Sequence, residues 1–236
     1  MAQTSGATAK VLDGKAAAAE IREELRAEAE RLAALGRRPG LAAVLVGDDE
    51  PSRIYVGAKQ RAAEATGLVS RLVHLPGDTT QTEVLDAVED LSADDSVHGI
   101  IVQLPLPPAI DPVTVQEAIS PSKDVDALHP WNQGRVLRGD PLFLPCTPAG
   151  IVELLQRQGV KLAGAHVVIV GRPLALLLSE KARANATVTQ CHTGTVDLAS
   201  HTRQADVLVR PPRGRPRPCW RGGGPRSSGQ RRRGPE

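Results

Sequence analysis

Aromatic residues are nearly absent from this chain: they make up 2% of its 236 residues, and Tyr55 is the only tyrosine. The hydrophobic core must therefore be built from Ala, Val, Leu and Ile. Cysteine is also scarce. The three thiols, Cys146, Cys191 and Cys219, are odd in number and show no Cys-x-x-Cys spacing. This argues for a reducing compartment and against a disulfide framework or a thiolate metal site.

Three further absences bear on the cellular setting. The six histidines are scattered without a His-x-x-x-His pair, so the sequence predicts no metal centre. No apolar run approaches the roughly 18 residues that cross a bilayer, and residues 1–10 lack the apolar segment of a secretory signal peptide. The sequence therefore predicts a cytoplasmic protein that does not bind a membrane.

Charge is distributed unevenly along the chain. Residues 210–236 hold nine arginines and one glutamate, a net charge of +8, so residues 1–209 carry −6 of the overall +2. Arg, Pro and Gly make up 21 of these last 27 residues, a composition that cannot bury a core and predicts a disordered tail. Because these residues have GC-rich codons, we hypothesise a shifted reading frame. An arginine-rich arm that binds nucleic acid is an alternative, but the tail has no aromatic residue besides Trp220 and no fold signature. Nucleic acid is therefore not the expected partner.

Alternating strand and helix patterns predict an α/β fold with parallel sheets. The chain length allows one or two domains, and we place a boundary near residue 145. The patterns predict helices over residues 16–35, 52–66, 82–91, 113–119, 149–158, 173–182 and 197–204. They predict strands over residues 41–46, 69–75, 99–103, 164–170, 186–190 and 205–209.

The segment 99–107 (GIIVQLPLP) is the most informative of these strands. Its β-branched residues 100–102 predict a strand buried on both faces, hence parallel and interior. The strand stops at Gln103, which places a side-chain amide at its carboxyl end, the edge where open α/β sheets bind ligands. A plain strand-to-loop exit is one alternative, and a Pro-x-x-Pro ligand over residues 105–108 is another.

Tyr55 and Lys59 lie four residues apart, so they share one face of the predicted helix 52–66. That helix follows a strand directly, and its start therefore lies at the same sheet edge as Gln103. A lysine held partly out of water there can act as an acid or a base near neutral pH. The alternative is a solvated lysine that covers an aromatic ring.

Two further patterns suggest binding groups. Asp124 and Asp126 lie two residues apart, so in extended chain their carboxylates point the same way and can accept hydrogen bonds from an amidine-like heterocycle edge. The alternative is a pair of loop acids that cap nearby amides. Gly171 and Arg172 follow the predicted strand 164–170 and suit a ribose phosphate, although the Gly-x-Gly-x-x-Gly pattern is absent.

Taken together, these segments resemble the bifunctional methylenetetrahydrofolate dehydrogenase/cyclohydrolase family over roughly residues 10–209. The resemblance implies a two-domain α/β fold: an N-terminal folate-binding domain over residues 1–145 and a truncated, Rossmann-like NADP-binding domain over residues 146–209, followed by the tail 210–236. It also implies folate in the cleft between the domains and a homodimer. The matching motifs are VLDGK (11–15), YVGAK (55–59), VQLPLP (102–107), KDVDALHPWNQGR (123–135), PCTPAGIVELL (145–155), VVIVGR (167–172) and ATVTQCHTGT (186–195).

The resemblance also implies roles for individual residues. Lys59 would be the catalytic lysine that handles protons at the folate nitrogen and at the attacking water, and Gln103 would hydrogen-bond it. Asp126 would grip the amino edge of the pteridine. The implied reactions are hydride transfer from methylenetetrahydrofolate to NADP, then hydrolysis of the methenyl product to formyltetrahydrofolate. The other implied contacts are Tyr55, Leu104 and Pro105 with folate, and Gly171 and Arg172 with NADP.

The chain departs from the family pattern at two internal positions. Arg172 is followed at once by Pro173, so the glycine-bearing loop whose N–H groups would cradle the pyrophosphate is missing. We therefore expect weak or absent NADP binding, with hydrolysis outlasting hydride transfer; an inactive product is the alternative. The second departure is Ala127, where the family has glycine; a positive φ there would strain the loop.

Overall fold

The structure, a computed structural model, describes residues 11–170, 174–192 and 194–210. The first half of this part of the chain forms a three-stranded parallel sheet with the strand order β2-β1-β3. A helix separates each strand from the next, as parallel pairing requires. The elements in chain order are α1 (Gly14–Ala34), β1 (Gly40–Val46), α2 (Glu50–Ala65), β2 (Val69–Leu75), α3 (Gln81–Ala93), β3 (Gly99–Val102) and α4 (Pro112–Ala118).

Both faces of β1 are buried, which explains why its sequence is almost continuously apolar. Ala42, Val44 and Val46 face one way and belong to the cluster that includes Val84 and Val88 of α3. The intervening residues Ala43 and Leu45 face the other way and pack against Val56 of α2. The central strand is therefore fixed between two helices, one of which carries Tyr55 and Lys59.

The second half of the described chain repeats this design. Its sheet is also parallel, with the order β5-β4-β6. Val167 and Ile169 of β4 belong to a core cluster with Leu174 and Leu177. The elements are α5 (Pro130–Arg138), α6 (Cys146–Arg157), β4 (His166–Val170), α7 (Leu174–Ser179), β5 (Thr187–Cys191), α8 (Leu198–Arg203) and β6 (Val207–Val209).

In both sheets the first strand lies in the middle, and this order determines where a ligand can bind. The chain leaves β1 for β2 on one side and then crosses to β3 on the other, which opens a crevice between the carboxyl ends of β1 and β3. The corresponding crevice of the second sheet lies between the ends of β4 and β6. The predicted α/β architecture with two parallel sheets is confirmed.

One helix was not predicted from the sequence. Residues 130–138 form α5, whose buried side chains are only Asn132 and Val136. Because so few apolar residues face inward, the sequence of this segment does not show the 3.6-residue apolar period of a helix. The end signals are present, since Pro130 occupies the first turn and Gly139 follows the helix with φ of 80°.

An ion-pair cluster joins the two halves. Arg157 of α6 donates from its two terminal nitrogens to the two carboxylate oxygens of Glu24 on α1, each at 2.7 Å. Its Nε donates to Glu153 at 2.6 Å. These hydrogen bonds raise the pKa of Arg157 and lower that of Glu24. The bidentate geometry fixes α1 against α6, whose first turn faces the site described below.

Candidate active site

Lys59 and Gln103 meet at the crevice between β1 and β3. The backbone N–H of Gln103 donates to Val44 O at 2.9 Å, which holds the residue at the end of β3 beside β1. Lys59 Nζ donates to Gln103 Oε1 at 3.3 Å. The other end of the amide, Nε2, donates to Leu104 O at 2.6 Å and so turns the oxygen toward the lysine. Both side chains are half-buried. The structure therefore brings together the two residues that the sequence places at one sheet edge and that the family resemblance pairs.

The predicted folate-contacting residues lie around this pair. Tyr55, one helical turn before Lys59, is 63% exposed, and its ring is open to a ligand. Leu104 and Pro105 follow Gln103 and are joined to each other by a cis peptide bond, and both are exposed. Tyr55 on α2 and the two residues after β3 are thus accessible, and their contacts with folate stay predictions.

The two acids of the following loop point in different directions. Asp124 is 1% exposed and accepts hydrogen bonds from the backbone N–H groups of Leu128 at 3.2 Å and His129 at 2.9 Å. Asp126 instead lines a cavity. The expectation that the two carboxylates point the same way is wrong, because residues 121–128 form successive turns rather than extended chain. The alternative of a capping acid is correct for Asp124.

The cavity that Asp126 lines has a volume of about 450 Å³. Its wall combines the loop after residue 125 with α5, the first turn of α6 and Leu176 of α7. A mostly apolar cavity with a single carboxylate suits a flat heterocycle with an amino edge. The lining residues are Asp126, Ala127, Leu128, Gln133, Val136, Pro145, Cys146, Thr147, Pro148 and Leu176.

Cys146 is a member of this site that the sequence indicated only as a free thiol. It begins α6, three residues before the predicted start, and its Sγ donates to Val125 O at 3.6 Å. Although the residue as a whole is exposed, partial burial of its thiol and the neighbouring Asp126 carboxylate raise its pKa to about 11, against the opposing charge of Lys59. Cys146 therefore lies close enough to Asp126 of the cavity and to Lys59 of the crevice for both charges to act on its thiol.

This environment predicts slow alkylation of Cys146 at neutral pH, because the thiolate is the nucleophile. We expect its rate with iodoacetamide to keep rising toward pH 11. Asp126→Asn removes a negative neighbour and should therefore move the rise to lower pH. Mass spectrometry of the Cys146 peptide measures the rate, and the Cys219 peptide of the same sample is the reference. Equal profiles for Cys146 in the parent and in Asp126→Asn would contradict the contact between these two residues.

Ala127 adopts the backbone conformation that was expected to be strained. Its φ is 53°, in the left-handed region, and the residue is 1% exposed. The sequence-based expectation is therefore confirmed. An L residue with a Cβ costs roughly 1–2 kcal/mol more than glycine there.

Gly171 and Arg172, the predicted NADP-binding residues, lie outside the described residues, as does most of the tail 210–236. The structure does describe the residues that precede and follow them in the sequence. Val170 ends β4 at the crevice of the second sheet, and Leu176 of α7 reaches the cavity of Asp126. Nearby in sequence, the exit of β5 is a turn in which His192 N donates to Thr195 Oγ1 at 2.8 Å.

Neither a metal cluster nor a membrane span occurs in the part of the chain that the structure describes. Within residues 11–170, 174–192 and 194–210, no group of three or more His, Cys, Asp or Glu residues could hold a metal ion. No helix among those residues is long and apolar enough to cross a bilayer.

Comparison with known proteins agrees with this geometry. The catalytic domain of the tetrahydrofolate dehydrogenase/cyclohydrolase family matches residues 12–126, and the family's NAD(P)-binding domain matches residues 145–217. This chain belongs to the tetrahydrofolate dehydrogenase/cyclohydrolase family. The second match runs beyond Val209, where the resemblance of the sequence motifs ends.

Relatives within the tetrahydrofolate dehydrogenase/cyclohydrolase family are similar over most of the chain. The bifunctional protein FolD of Geotalea daltonii is 49% identical over 207 residues, which cover 85% of this chain and 73% of the relative. That of Bacillus pumilus is 50% identical over 208 residues, covering 86% and 72%.

Solved structures of the family agree with the fold. The bifunctional enzyme FolD of Campylobacter jejuni superposes with a TM-score of 0.82 at 44% identity, covering 86% of this chain and 73% of that one. FolD of Trypanosoma brucei, complexed with NADP cofactor and an inhibitor, superposes with a TM-score of 0.80 at 39% identity, covering 86% and 71%.

Proposed function

We propose that this chain oxidises 5,10-methylenetetrahydrofolate with NADP and hydrolyses the 5,10-methenyl product to 10-formyltetrahydrofolate, a bifunctional role in one-carbon metabolism. The observation that carries the proposal is the Lys59–Gln103 hydrogen bond at the crevice between β1 and β3. An amine and an amide at this edge, near the cavity that Asp126 lines, are suited to proton transfer on a bound heterocycle.

Lys59 handles the protons in this proposal. The hydrolysis begins with attack of water on the methenyl carbon, which is electrophilic because the substrate is a cation. The water loses one proton as the C–O bond forms, and a folate nitrogen gains one as its C–N bond breaks. The remaining O–H proton leaves to solvent as that oxygen becomes the formyl carbonyl, so each substrate cation releases one proton overall. A lysine can take the first proton as a base and then protonate the nitrogen as an acid. Gln103 Oε1 accepts one N–H of Lys59, which orients the lysine and leaves its other positions free for substrate and water.

Asp126 and its neighbours bind the folate in this proposal. The carboxylate of Asp126 would accept hydrogen bonds from the pteridine amino edge, a charge-assisted and therefore strong arrangement. Its place in the 450 Å³ cavity supports this role. The exposed ring of Tyr55 would lie against the folate, and Leu104 and Pro105 would form the wall at the strand exit.

The second sheet fits NADP. Its order β5-β4-β6 opens a crevice at the end of β4, the place where doubly wound sheets bind dinucleotides. Gly171 and Arg172 follow that strand, and the Arg172 guanidinium has the chemistry to hold a ribose phosphate. When bound, NADP would accept the hydride from the folate. Leu176, two residues after the start of α7, lines the folate cavity, which supports a close approach of the two binding sites.

We also propose that the chain acts as a cytoplasmic homodimer. The homodimer rests on the family resemblance, and the cytoplasmic location rests on the free thiols of Cys146 and Cys191. Sedimentation equilibrium tests the dimer; a single species with a mass near the 25.0 kDa of one chain would exclude it.

Two assays on the purified chain test the function. The loss of 5,10-methenyltetrahydrofolate reports hydrolysis, and the formation of NADPH from 5,10-methylenetetrahydrofolate reports dehydrogenation. We expect hydrolysis at ordinary substrate concentrations and dehydrogenation only at high NADP, because Pro173 directly follows Arg172 and the phosphate-binding loop is missing. A folded chain without hydrolase activity would overturn the proposal in favour of an inactive product.

A further inference from the structure

Asn132 of α5 is fully buried, with an exposure of 0%, and is not one of the residues that line the cavity. Its Nδ2 donates two hydrogen bonds, to Pro121 O at 2.9 Å and to Asp124 Oδ2 at 2.8 Å. Its own Oδ1 has no hydrogen-bond partner. A buried amide oxygen without a partner costs stability. Its two donated bonds are what it contributes.

Those two hydrogen bonds connect α5 to the loop 121–128 at two points. Asp124 accepts three hydrogen bonds, from Asn132 and from the backbone N–H groups of Leu128 and His129. Asp126 lies between Asp124 and Leu128, so the carboxylate of Asp124 closes the turn that presents Asp126 to the cavity. Through Pro121 and Asp124, the single amide of Asn132 fixes the entry and the middle of this turn at once.

The opposite side of the same loop is fixed by β3. Ile100 N donates to Lys123 O at 2.7 Å, and a Cβ added at Gly99 would lie 2.6 Å from Val125 Cγ1. β3 therefore packs against one side of the loop, and Asn132 of α5 holds the loop from the other side. The position of Asp126 is set between these two supports.

We infer that Asn132 and Asp124 are positioning residues for folate binding, which act by holding Asp126 in the cavity. This inference rests on the proposed role of Asp126. It assigns a function to two residues that contact no substrate, and it explains why an amide and a carboxylate occupy the interior at a cost in stability. It predicts that their effect on folate affinity exists only while Asp126 is present.

A double-mutant cycle tests this dependence. The dissociation constant of tetrahydrofolate is measured by calorimetry for the parent, Asp126→Asn, Asn132→Leu and the double variant. Leucine keeps the number of side-chain heavy atoms of Asn132 and removes both donors. We expect Asp126→Asn to weaken binding about 10- to 100-fold, as the loss of charge-assisted hydrogen bonds does, and Asn132→Leu to weaken it about tenfold. The double variant should match Asp126→Asn alone. Leu137→Asn, at an exposed position of the same helix, is the control and should leave affinity unchanged.

Each contrary result has one meaning. Unchanged affinity in Asp126→Asn refutes the proposed role of Asp126 and with it this inference. A weakened Asp126→Asn beside an unaffected Asn132→Leu refutes the inference alone. Additive losses in the double variant show a general structural effect and also refute it. Should Asn132→Leu not fold, as judged by its thermal transition, Asp124→Asn replaces it in the same cycle and the same three outcomes apply.

Discussion

Replacing Lys59 with methionine is expected to lower the rates of hydrolysis and of dehydrogenation, the former by about 10²- to 10⁴-fold, the range that a positioned acid–base group supplies. Methionine keeps the length of the side chain and removes the amine that Gln103 Oε1 accepts from at 3.3 Å. Because Lys59 is only half-buried, the variant should fold as the parent does. The rate constant for hydrolysis of methenyltetrahydrofolate is the direct measurement.

Two companion variants show whether the amine or its charge matters. Lys59→Arg keeps a positive charge but gives up its proton far less readily, so it should be nearly as slow as the methionine variant in hydrolysis. Gln103→Leu removes the acceptor and should produce a smaller loss, since the lysine remains but is no longer oriented. Hydrolysis by Lys59→Met within a factor of three of the parent would exclude Lys59 as the proton carrier.

The placement of Lys59 and Gln103 at one edge of the sheet was predictable because it follows from topology. A parallel sheet places the carboxyl ends of its strands at one edge, and two strands marked by apolar runs, 41–46 and 99–103, lie next to each other in it. The direct hydrogen bond between the two side chains was implied by the family resemblance and not by the topology.

The loop of Asp124 and Asp126 was less predictable because its shape depends on distant partners. Alternation in extended chain fails because Asp124 turns inward to Leu128, His129 and Asn132, and the alternative of a capping acid did not identify these partners. Asn132 itself lies on a helix with too little apolar pattern to be recognised. Cys146 meets Asp126 across 20 residues of sequence, a contact that only the folded chain produces.

Ala127→Val is expected to lower the free energy of unfolding by about 2–4 kcal/mol. A β-branched residue is strongly disfavoured at the φ of 53° that Ala127 adopts, and enlarging a side chain that is 1% exposed adds roughly 1–3 kcal/mol of overpacking. Urea denaturation, followed by circular dichroism, measures the loss. Ala42→Val in β1 is the matched control, since Ala42 is equally buried but extended.

Ala127→Gly separates backbone strain from packing at the same position. Glycine relieves roughly 1–2 kcal/mol of left-handed strain, against about 0.8 kcal/mol for a lost buried methyl group and about 0.4–1 kcal/mol for the freer unfolded chain. We therefore expect its stability to stay within about 1 kcal/mol of the parent, well above that of Ala127→Val. A valine variant as stable as the glycine variant would mean that the loop yields easily at residue 127. The neighbouring Asp126 would then lack the fixed position that the network around Asp124 and Asn132 is inferred to give it.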